Sequence, residues 1–326
     1  MPAASDSALS FLETLHQLPV DPSLAIVFPG QGSQKVGMGR DVCDLSAGAL
    51  RIFEAADTIL GSSLSSLCFD GPDGELTKTA NAQPAILVTS IALLAASVEA
   101  GVLDRRPRFL AGHSLGEYTA LVVARSVTFE AGITLVAERG RVMERAGQID
   151  EGTMAAIVGM QASDVERLCQ QSGAEVCNYN SPTQIVIGGS PSAVEEACHL
   201  AKDEGGRGLP LNVSGAFHTS LMKGAAEDFR RVLKEATIDP PRITVLGNTT
   251  ALPMVTASDA LADLSEQMTL PVMWSQSVEF MAKAGVKTVV EIGPGRALTA
   301  ILKRSYPDIS ALSIEGAAAL VSPSNV

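Results

Sequence analysis

The amino-acid sequence predicts an α/β fold in which a small domain is inserted into a large domain with a parallel sheet. Short apolar runs alternate with helical segments over most of the chain, a pattern typical of parallel α/β sheets. Between residues 151 and 213 the order changes to βαββαβ, which is the order of a ferredoxin-like unit. With 326 residues, of which 46% are hydrophobic, the chain is long enough to bury a core in each part.

The elements of the large domain are predicted from apolar runs and from the residues that end them. Residues 1–22 are expected to form an N-terminal extension, and residues 311–326 a C-terminal tail. The first strand is predicted at 23–30, because its apolar run is closed by Pro-Gly. A largely buried helix is predicted at 83–101, where a glycine ends it. Further strands are predicted at 107–112, 242–248 and 286–293, and helices at 115–125 and 128–147.

The inserted domain is predicted to span residues 151–213. It begins with the strand-like run "TMAAIVGM", ends with "RGLPLNV", and contains a hairpin around Pro182. The large domain therefore comprises residues 23–150 and 214–310. Because ligands often bind in clefts between domains, we expect the functional site between the two parts.

Composition and charge exclude several classes of function. The formal net charge of −12 argues against binding of nucleic acid or of an anionic membrane surface. No signal peptide is visible, and the longest apolar candidate, residues 84–98, is too short to span a bilayer. The five cysteines show neither CxxC pairing nor metal-ligand spacing, which predicts reduced thiols. We therefore expect a soluble, cytoplasmic protein without a metal site.

The stretch "GHSLG", residues 112–116, fits the pattern G-x-S-x-G with Ser114 at its centre. It lies between a predicted strand and a predicted helix, which is the context that a nucleophile elbow requires. The two glycines allow the tight turn, and the N-terminus of the following helix favours developing negative charge. Ser114 is therefore the predicted nucleophile. The alternative is an ordinary strand-to-helix turn that contains a serine.

A serine nucleophile needs a base, and the chain has four histidines. His16 lies in the N-terminal extension, His113 adjoins the serine, and His199 lies on a predicted solvated helix face. By elimination, His218 in "SGAFHTS" is the predicted base. The ordinary histidine pKa of about 6.5 then predicts that activity falls below that pH. No acid stands out as a third member, so we expect a backbone carbonyl to orient the imidazole.

The glycine-rich loop "FPGQGSQKVGMG", residues 28–39, follows the first predicted strand. It does not fit phosphate-binding patterns, because no lysine follows Gly37 and because Lys35 stands where the dinucleotide pattern needs a glycine. Such a loop could present a backbone N–H as one arm of an oxyanion hole, with the N–H of Leu115 as the other. Gln31 is the candidate for the first arm, and a structural turn is the alternative.

One arginine lies on the apolar face of the helix predicted at 128–147. Arg139 falls four residues after Leu135 and four before Met143, both on the apolar stripe. A buried guanidinium is costly unless it is paired. Two explanations remain open: an internal salt bridge, or a seat for a substrate carboxylate.

Five motifs occur in order along the chain: "GQGSQ", "GHSLGEY", "ERGRVM", "GAFH" and "EIGPG". Through them the sequence resembles the malonyl-CoA:acyl-carrier-protein transacylases of fatty-acid and polyketide synthesis, from about residue 24 to about residue 305. The resemblance implies an α/β-hydrolase-like large domain with a ferredoxin-like insertion. It also implies transfer of malonyl from malonyl-CoA to the phosphopantetheine thiol of an acyl carrier protein, through an acyl-serine and without a cofactor.

The resemblance assigns roles to the candidate residues. Ser114 is implied to be the nucleophile and His218 the base. Gln31 and Leu115 are implied to form the oxyanion hole, and Arg139 to bind the malonyl carboxylate. The carbonyl that orients the histidine is expected at Met273, directly before the tryptophan of "PVMW", and Phe217 is expected to crowd an α-methyl branch on the acyl group.

The pathway and the docking surface remain open at this point. A polyketide carrier loaded in trans is the nearest alternative to fatty-acid synthesis, and an acyl hydrolase or a catalytically inactive carrier-binding scaffold are further alternatives. Because a carrier protein is acidic and so is this chain, docking needs a local basic patch; Lys303 with Arg304 is one candidate and Lys35 another, and scattered solubilising charges are the alternative. We expect a monomer.

Overall fold

Ten strands form two separate sheets in the computed structural model, which describes residues 9–321. In chain order the strands are β1 (Val20–Phe28), β2 (Arg106–Gly112), β3 (Thr153–Val158), β4 (Glu175–Ser181), β5 (Gln184–Gly189), β6 (Arg207–Pro210), β7 (Thr244–Leu246), β8 (Pro253–Met254), β9 (Thr288–Ile292) and β10 (Ser310–Ile314).

Helices occupy most of the chain between the strands. In chain order they are α1 (Ser10–Gln17), α2 (Arg40–Cys43), α3 (Ala47–Leu60), α4 (Leu64–Asp70), α5 (Asp73–Leu76), α6 (Thr79–Glu99), α7 (Gly116–Val123), α8 (Phe129–Ile149), α9 (Ala162–Ser172), α10 (Pro191–Asp203), α11 (Lys223–Glu235), α12 (Ala257–Glu266), α13 (Trp274–Lys283), α14 (Ala297–Ser305) and α15 (Ala318–Val321). Residues 1–8 of the expected N-terminal extension and 322–326 of the expected tail lie outside the described residues.

The larger sheet has the strand order β10-β9-β1-β2-β7-β8. Neighbouring strands are parallel except for β7 and the short edge strand β8, which are antiparallel. The second half of β1 is fully buried, as expected for an apolar strand at the centre of a parallel sheet. The predicted α/β architecture with a parallel sheet is thus confirmed.

This sheet extends beyond the bounds predicted for the large domain at both ends. β1 begins at Val20, because Val20 and Asp21 pair with Arg106 and Pro107. β10 pairs with β9 along its whole length, although residues 311–314 were expected in the C-terminal tail. β10 ("SALSI") lies at the edge of the sheet, where only two of its five residues, Ala311 and Ile314, are buried.

The smaller sheet, of order β4-β5-β3-β6, is antiparallel throughout. Its elements follow the order βαββαβ, as the sequence predicts. α9 and α10 contact each other and pack on the sheet, where they cover a cluster that includes Ile157, Leu168 and Ile187. This cluster is separate from the two other clusters, so the helix-covered face of the smaller sheet has its own core, whereas Met154, Ala156 and Val186 of the same sheet belong to the main cluster.

α6 is the one helix within residues 9–321 that is long and apolar enough to cross a membrane by length and composition. In the fold, 94% of its most apolar window is buried against neighbouring elements, chiefly α3 and α8, as in the core helix of a globular protein. It begins at Thr79, four residues before the predicted start. Pro84 lies in the second turn of the helix.

A short backbone pairing joins the two sheets beside the functional site. The N–H of Tyr179 in β4 donates to the carbonyl of Val272 (2.9 Å), and the N–H of Val272 donates to the carbonyl of Cys177 (2.9 Å). The N–H of Met273 then donates to the carbonyl of Asn248 (2.7 Å), two residues after the end of β7. The smaller sheet is therefore anchored at the carboxyl end of the larger one, where ligands bind in open α/β sheets.

Candidate active site

Ser114 lies on a tight turn between β2 and α7. Its φ of 52° is in the left-handed region, which is rare for a residue with a side chain. The turn requires the two glycines of "GHSLG", because a Cβ on Gly112 would lie 1.9 Å from the carbonyl carbon of Gly116, and one on Gly116 would lie 2.1 Å from the oxygen of Phe28. The backbone crossing that lifts Ser114 out of the sheet therefore excludes any larger residue at either position.

His218 meets the serine across 104 residues of sequence. Its Nε2 lies 2.8 Å from Ser114 Oγ, and its Nδ1 lies 2.7 Å from the backbone carbonyl of Gln267. Because a carbonyl can only accept, Nδ1 carries the proton, and Nε2 is the acceptor that faces the serine hydroxyl. A carbonyl therefore holds the imidazole, as the sequence predicts.

The residue that supplies this carbonyl is Gln267, so the expectation of Met273 is wrong. The carbonyl of Met273 accepts instead from the N–H (3.0 Å) and the hydroxyl (3.1 Å) of Ser277 in the first turn of α13. A carbonyl directed into its own helix is not free to face an imidazole. Gln267 directly follows α12, and its backbone carbonyl is directed at His218.

Arg139 projects inward from α8 and touches the same serine. The side chain is 1% exposed, and its Nη2 donates to Ser114 Oγ (3.0 Å) and to Gln267 Oε1 (2.8 Å). Its Nη1 donates to Gln83 Oε1 (2.8 Å). No Asp or Glu oxygen lies within 4.0 Å of it in the part of the chain that the structure describes, so the internal salt bridge considered from the sequence is not found there.

Gln267 contacts every member of this group, and sequence reasoning missed it. Its side-chain nitrogen donates to the carbonyl of Ser114 (3.0 Å) and to Glu117 Oε2, its side-chain oxygen accepts from Arg139, and its backbone carbonyl accepts from His218. An amide side chain carries no chemical signature in a sequence. Gln267 could have been identified only if the position of the end of α12 next to Ser114 had been known.

Asn248, two residues after the end of β7, binds the turn from the other side. Its Oδ1 accepts from the N–H of Ser114 (2.7 Å), and its Nδ2 donates to the carbonyl of Gly112 (2.7 Å). Its own N–H donates to Glu117 Oε1 (2.8 Å) and, at 3.2 Å, to Asp263 Oδ2. The side chain of Asn248 thus completes the hydrogen bonding of a strained turn that has few helical or sheet partners.

A cavity of about 450 Å³ opens onto the serine and the histidine. Met143 and Phe217 form part of its apolar wall, and Gln31 and Ser214 part of its polar wall. Within residues 9–321, the backbone N–H groups of Gln31 and Leu115 make no hydrogen bond, so both are available to an acceptor. The side chain of Gln31 is fixed by Thr79 Oγ1 (3.1 Å), which also contacts Ser214 Oγ (3.0 Å).

Comparisons with known proteins identify the family. Residues 25–322 match the family model described as acyl transferase domain. Over 287 residues the chain is 43% identical to malonyl CoA-acyl carrier protein transacylase of Bacillus subtilis (strain 168), which covers 86% of this chain and 90% of that protein. The chain belongs to the acyl transferase family.

Two solved structures share the fold of this acyl transferase. One is an acyl carrier protein S-malonyltransferase from Vibrio cholerae O1 biovar eltor, with a TM-score of 0.88 and 37% identity over 92% of this chain and 99% of that one. The other is a malonyl-transacylase in complex with a type II PKS acyl-carrier protein, with a TM-score of 0.88 and 38% identity over 92% and 98% of the two chains. The resemblance read from the five motifs is therefore confirmed.

The electrostatics of the acyl transferase site favour a neutral imidazole. Burial lowers the pKa of His218 to about 3, because the imidazolium would lose its hydration, and the charge of Arg139 acts in the same direction. The hydrogen bond to the carbonyl of Gln267 opposes the shift but does not cancel it. His218 is therefore neutral near neutral pH and can accept a proton at Nε2.

Two buried carboxyl groups lie beneath the serine of the acyl transferase. Burial raises the pKa of Glu117 well above its usual range, and the neighbouring Asp263 adds to the shift. Burial also raises the pKa of Asp263. Because both groups touch the N–H of Asn248, they are too close for both to ionise readily, and the pair favours a state that keeps a proton.

Three basic residues are the docking candidates that the sequence offers. Lys35 is paired with Glu315 (3.8 Å), and Lys303 and Arg304 are exposed in the last turn of α14. Among residues 9–321, no group of three or more His, Cys, Asp or Glu side chains is arranged to hold a metal ion.

Proposed function

We propose that this acyltransferase moves a malonyl group from malonyl-CoA to the phosphopantetheine thiol of an acyl carrier protein and thereby supplies extender units for fatty-acid synthesis. The observation that carries the proposal is that Ser114 Oγ contacts both the acceptor nitrogen of His218 (2.8 Å) and the guanidinium of Arg139 (3.0 Å). A nucleophile, a base and an unpaired cation thus meet at one oxygen. The names of the relatives support the same substrates.

The first half-reaction acylates the serine. His218 Nε2 takes the hydroxyl proton as Ser114 Oγ attacks the thioester carbonyl of malonyl-CoA. The resulting oxyanion accepts hydrogen bonds from the N–H groups of Gln31 and Leu115, which have no other partner within residues 9–321. The carbon–sulfur bond then breaks, and the departing CoA thiolate receives the proton from His218.

The second half-reaction repeats these steps in reverse. His218 takes the proton of the phosphopantetheine thiol, and the thiolate attacks the malonyl ester. The bond from the acyl carbon to Oγ breaks, and His218 returns its proton to Ser114. Because both thiols use the same cavity in turn, the kinetics are ping-pong.

Arg139 selects the acyl group in this proposal. Once Ser114 Oγ is esterified, its contact with the guanidinium weakens and the malonyl carboxylate becomes the better acceptor. Such a pairing holds the ester in one orientation and limits attack by water. Phe217, on the cavity wall, is proposed to crowd an α-methyl branch.

We propose that two domains form the site of this reaction. Residues 23–150 and 214–310, extended by β10, form an α/β-hydrolase-like domain that carries Ser114. Residues 151–213 form a ferredoxin-like insertion, an interpretation supported by its own core and by its strand order β4-β5-β3-β6. Met154, Asn178 and Leu211 bring the insertion to the cavity wall.

A polyketide carrier is the second candidate acceptor. The relative solved with a type II PKS acyl-carrier protein favours it, because that structure covers 92% of this chain at 38% identity. Rates of malonyl transfer to the two kinds of carrier, measured in competition, distinguish the pathways. An acyl hydrolase is disfavoured, because Arg139 can pair with the carboxylate of a malonyl group, and hydrolysis of an acyl ester does not require such a pairing.

The proposed surroundings of the enzyme follow from its charge and its substrates. The carrier is proposed to dock through Lys303 and Arg304 or through Lys35, since the remaining surface is net acidic. The chain is proposed to act as a cytoplasmic monomer that requires no cofactor besides its two thioester substrates.

Intact-mass measurement tests the proposed acyl-serine. Mixing the protein with malonyl-CoA should add one malonyl group per chain, and Ser114→Ala should add none, because the ester forms only on that hydroxyl. Adding phosphopantetheinylated carrier should then remove the adduct and malonylate the carrier. A wild-type protein that gains no malonyl group, or an Ser114→Ala variant that gains one, would refute acylation at this serine.

A further inference from the structure

Arg139 is a buried cation held only by neutral groups in the part of the chain that the structure describes. Its hydrogen-bond acceptors there are two amide oxygens, from Gln83 and Gln267, and the hydroxyl of Ser114. The face of the Tyr118 ring lies against it, with 5.4 Å between Cζ and the ring centroid. Burial lowers the pKa of Arg139, as expected for a charge that has lost its hydration without gaining a counter-ion.

The nearest carboxyl groups do not neutralise this charge. Glu117 lies on the far side of Gln267, whose side-chain nitrogen it accepts from, so an amide separates it from the guanidinium. Glu117 in turn adjoins Asp263, and burial favours retention of a proton by this pair. The positive charge of Arg139, next to Ser114, is therefore available to pair with an anionic group that enters through the cavity.

The two amides are placed by the packing of α6 and α8. Gly140, next to Arg139, lets α8 approach the first turn of α6 so closely that a Cβ there would lie 2.7 Å from the carbonyl oxygen of Thr79. Gln83 lies one turn further along α6 and is fully buried. Within residues 9–321, its side chain hydrogen-bonds, apart from Arg139, only to Met143 Sδ (3.3 Å), a weak acceptor. The burial of Gln83 is therefore explained by its hydrogen bond to Arg139.

We propose that Gln83 and Gln267 are positioning residues that set the selectivity for a carboxylate-bearing acyl group, because they hold Arg139 with neutral oxygens where carboxylates would cancel its charge. This inference rests on the proposed function of Arg139. A carboxylate has the same shape as the amide but would form a buried ion pair with the guanidinium. The malonyl carboxylate would then enter a site without net positive charge, whereas an acetyl group would be unaffected by that loss.

The test is Gln83→Glu, read as the ratio of malonyl to acetyl adducts on the protein. The protein is mixed with equal amounts of malonyl-CoA and acetyl-CoA, quenched early and analysed by intact mass. We expect the ratio to fall at least about tenfold from the wild-type value, towards that of Arg139→Ala, which lacks the charge altogether. Gln83→Met is the matched control: it removes the oxygen without adding charge, so it should slow acylation but keep the ratio near the wild-type value.

The outcomes separate this inference from the proposed function. If Arg139→Ala leaves the ratio unchanged, the carboxylate role of Arg139 itself is wrong. If Arg139→Ala lowers the ratio but Gln83→Glu does not, or if Gln83→Met lowers it as much as Gln83→Glu, the neutral-partner inference alone is overturned. Only folded molecules acylate, so the ratio remains readable in a destabilised sample. Should Gln83→Glu not fold, Gln267→Glu places the same charge beside Nη2 of Arg139 and should lower the ratio likewise; an unchanged ratio there also overturns the inference.

Discussion

At the scale of residues, one serine has hydrogen-bond partners from four distant segments. Ser114 Oγ lies 2.8 Å from His218 and 3.0 Å from Arg139, while the backbone of Ser114 is fixed by Asn248 and Gln267. The serine, the histidine and the arginine could be predicted from the sequence. The serine lies in a G-x-S-x-G motif, the histidine remains after elimination among four, and the arginine is a charge on an apolar stripe. The two amides could not, because hydrogen-bonded glutamine and asparagine occur throughout proteins.

The pH dependence of activity is a prediction at this scale. A lone histidine would titrate near 6.5, the value expected from the sequence, but burial and Arg139 lower the pKa of His218 to about 3. A base works in its neutral form, so a lowered pKa moves the acid limb of the profile to lower pH. We expect kcat/KM for malonyl-CoA to stay nearly constant from about pH 7 down to about pH 5.

Stability in acid provides the control for this profile. Between pH of about 3 and 6.5 the unfolded chain binds a proton at His218 that the folded chain does not, so stability falls as pH decreases through this range. Circular dichroism at each pH therefore has to show a folded enzyme. If the acid limb of the kcat/KM profile were centred near pH 6.5 while the protein is folded, this would contradict the lowering of the pKa of His218 by burial.

At the scale of elements, the close approach of α6 and α8 brings Gln83 and Arg139 together. Gly140→Ala should separate the two helices, because its Cβ would lie 2.7 Å from Thr79 O and 2.8 Å from Ala80 Cα. We expect a loss of about 2 kcal/mol in the free energy of unfolding, the usual cost of overpacking. We also expect a decrease in kcat/KM, since Arg139 moves with the helix. Chemical denaturation and steady-state kinetics measure the two effects.

Gly224→Ala is the matched control on α11. A Cβ there would meet no atom within 4 Å, so the substitution should be neutral or slightly stabilising, as alanine usually is in a helix. Equal unfolding free energies for the two variants would show that the contact of Gly140 with α6 does not matter.

Prediction of elements from the sequence succeeded where periodicity was strong and failed at boundaries set by tertiary contacts. The apolar run of α6 identified a buried helix, but the helix begins before that run, at Thr79, whose hydroxyl accepts from the side chain of Gln31. β10 was missed because it is a short strand at the edge of the sheet, where only part of it is buried. The carbonyl of Met273 was assigned to His218, whereas the start of α13 at Trp274 directs it to Ser277.

At the scale of the whole molecule, the site depends on how the two sheets meet. The alternation of apolar runs with helical segments predicted a parallel sheet, and the βαββαβ order predicted the second sheet. Both could be predicted because they are local patterns in the sequence. The pairing of Tyr179 and Cys177 with Val272, which anchors one sheet to the other, involves single residues far apart in sequence and has no local pattern. The same holds for His113, whose Nε2 lies 2.8 Å from Asn180 Oδ1 of β4.

A crystal structure of the wild-type enzyme soaked with malonyl-CoA tests the whole arrangement most directly. We expect continuous density from Ser114 Oγ into a malonyl ester, with its carbonyl oxygen near the N–H groups of Gln31 and Leu115 and its carboxylate against the guanidinium of Arg139. A malonyl group attached elsewhere, or one whose carboxylate points to the cavity mouth while Arg139 keeps its present partners, would contradict the account.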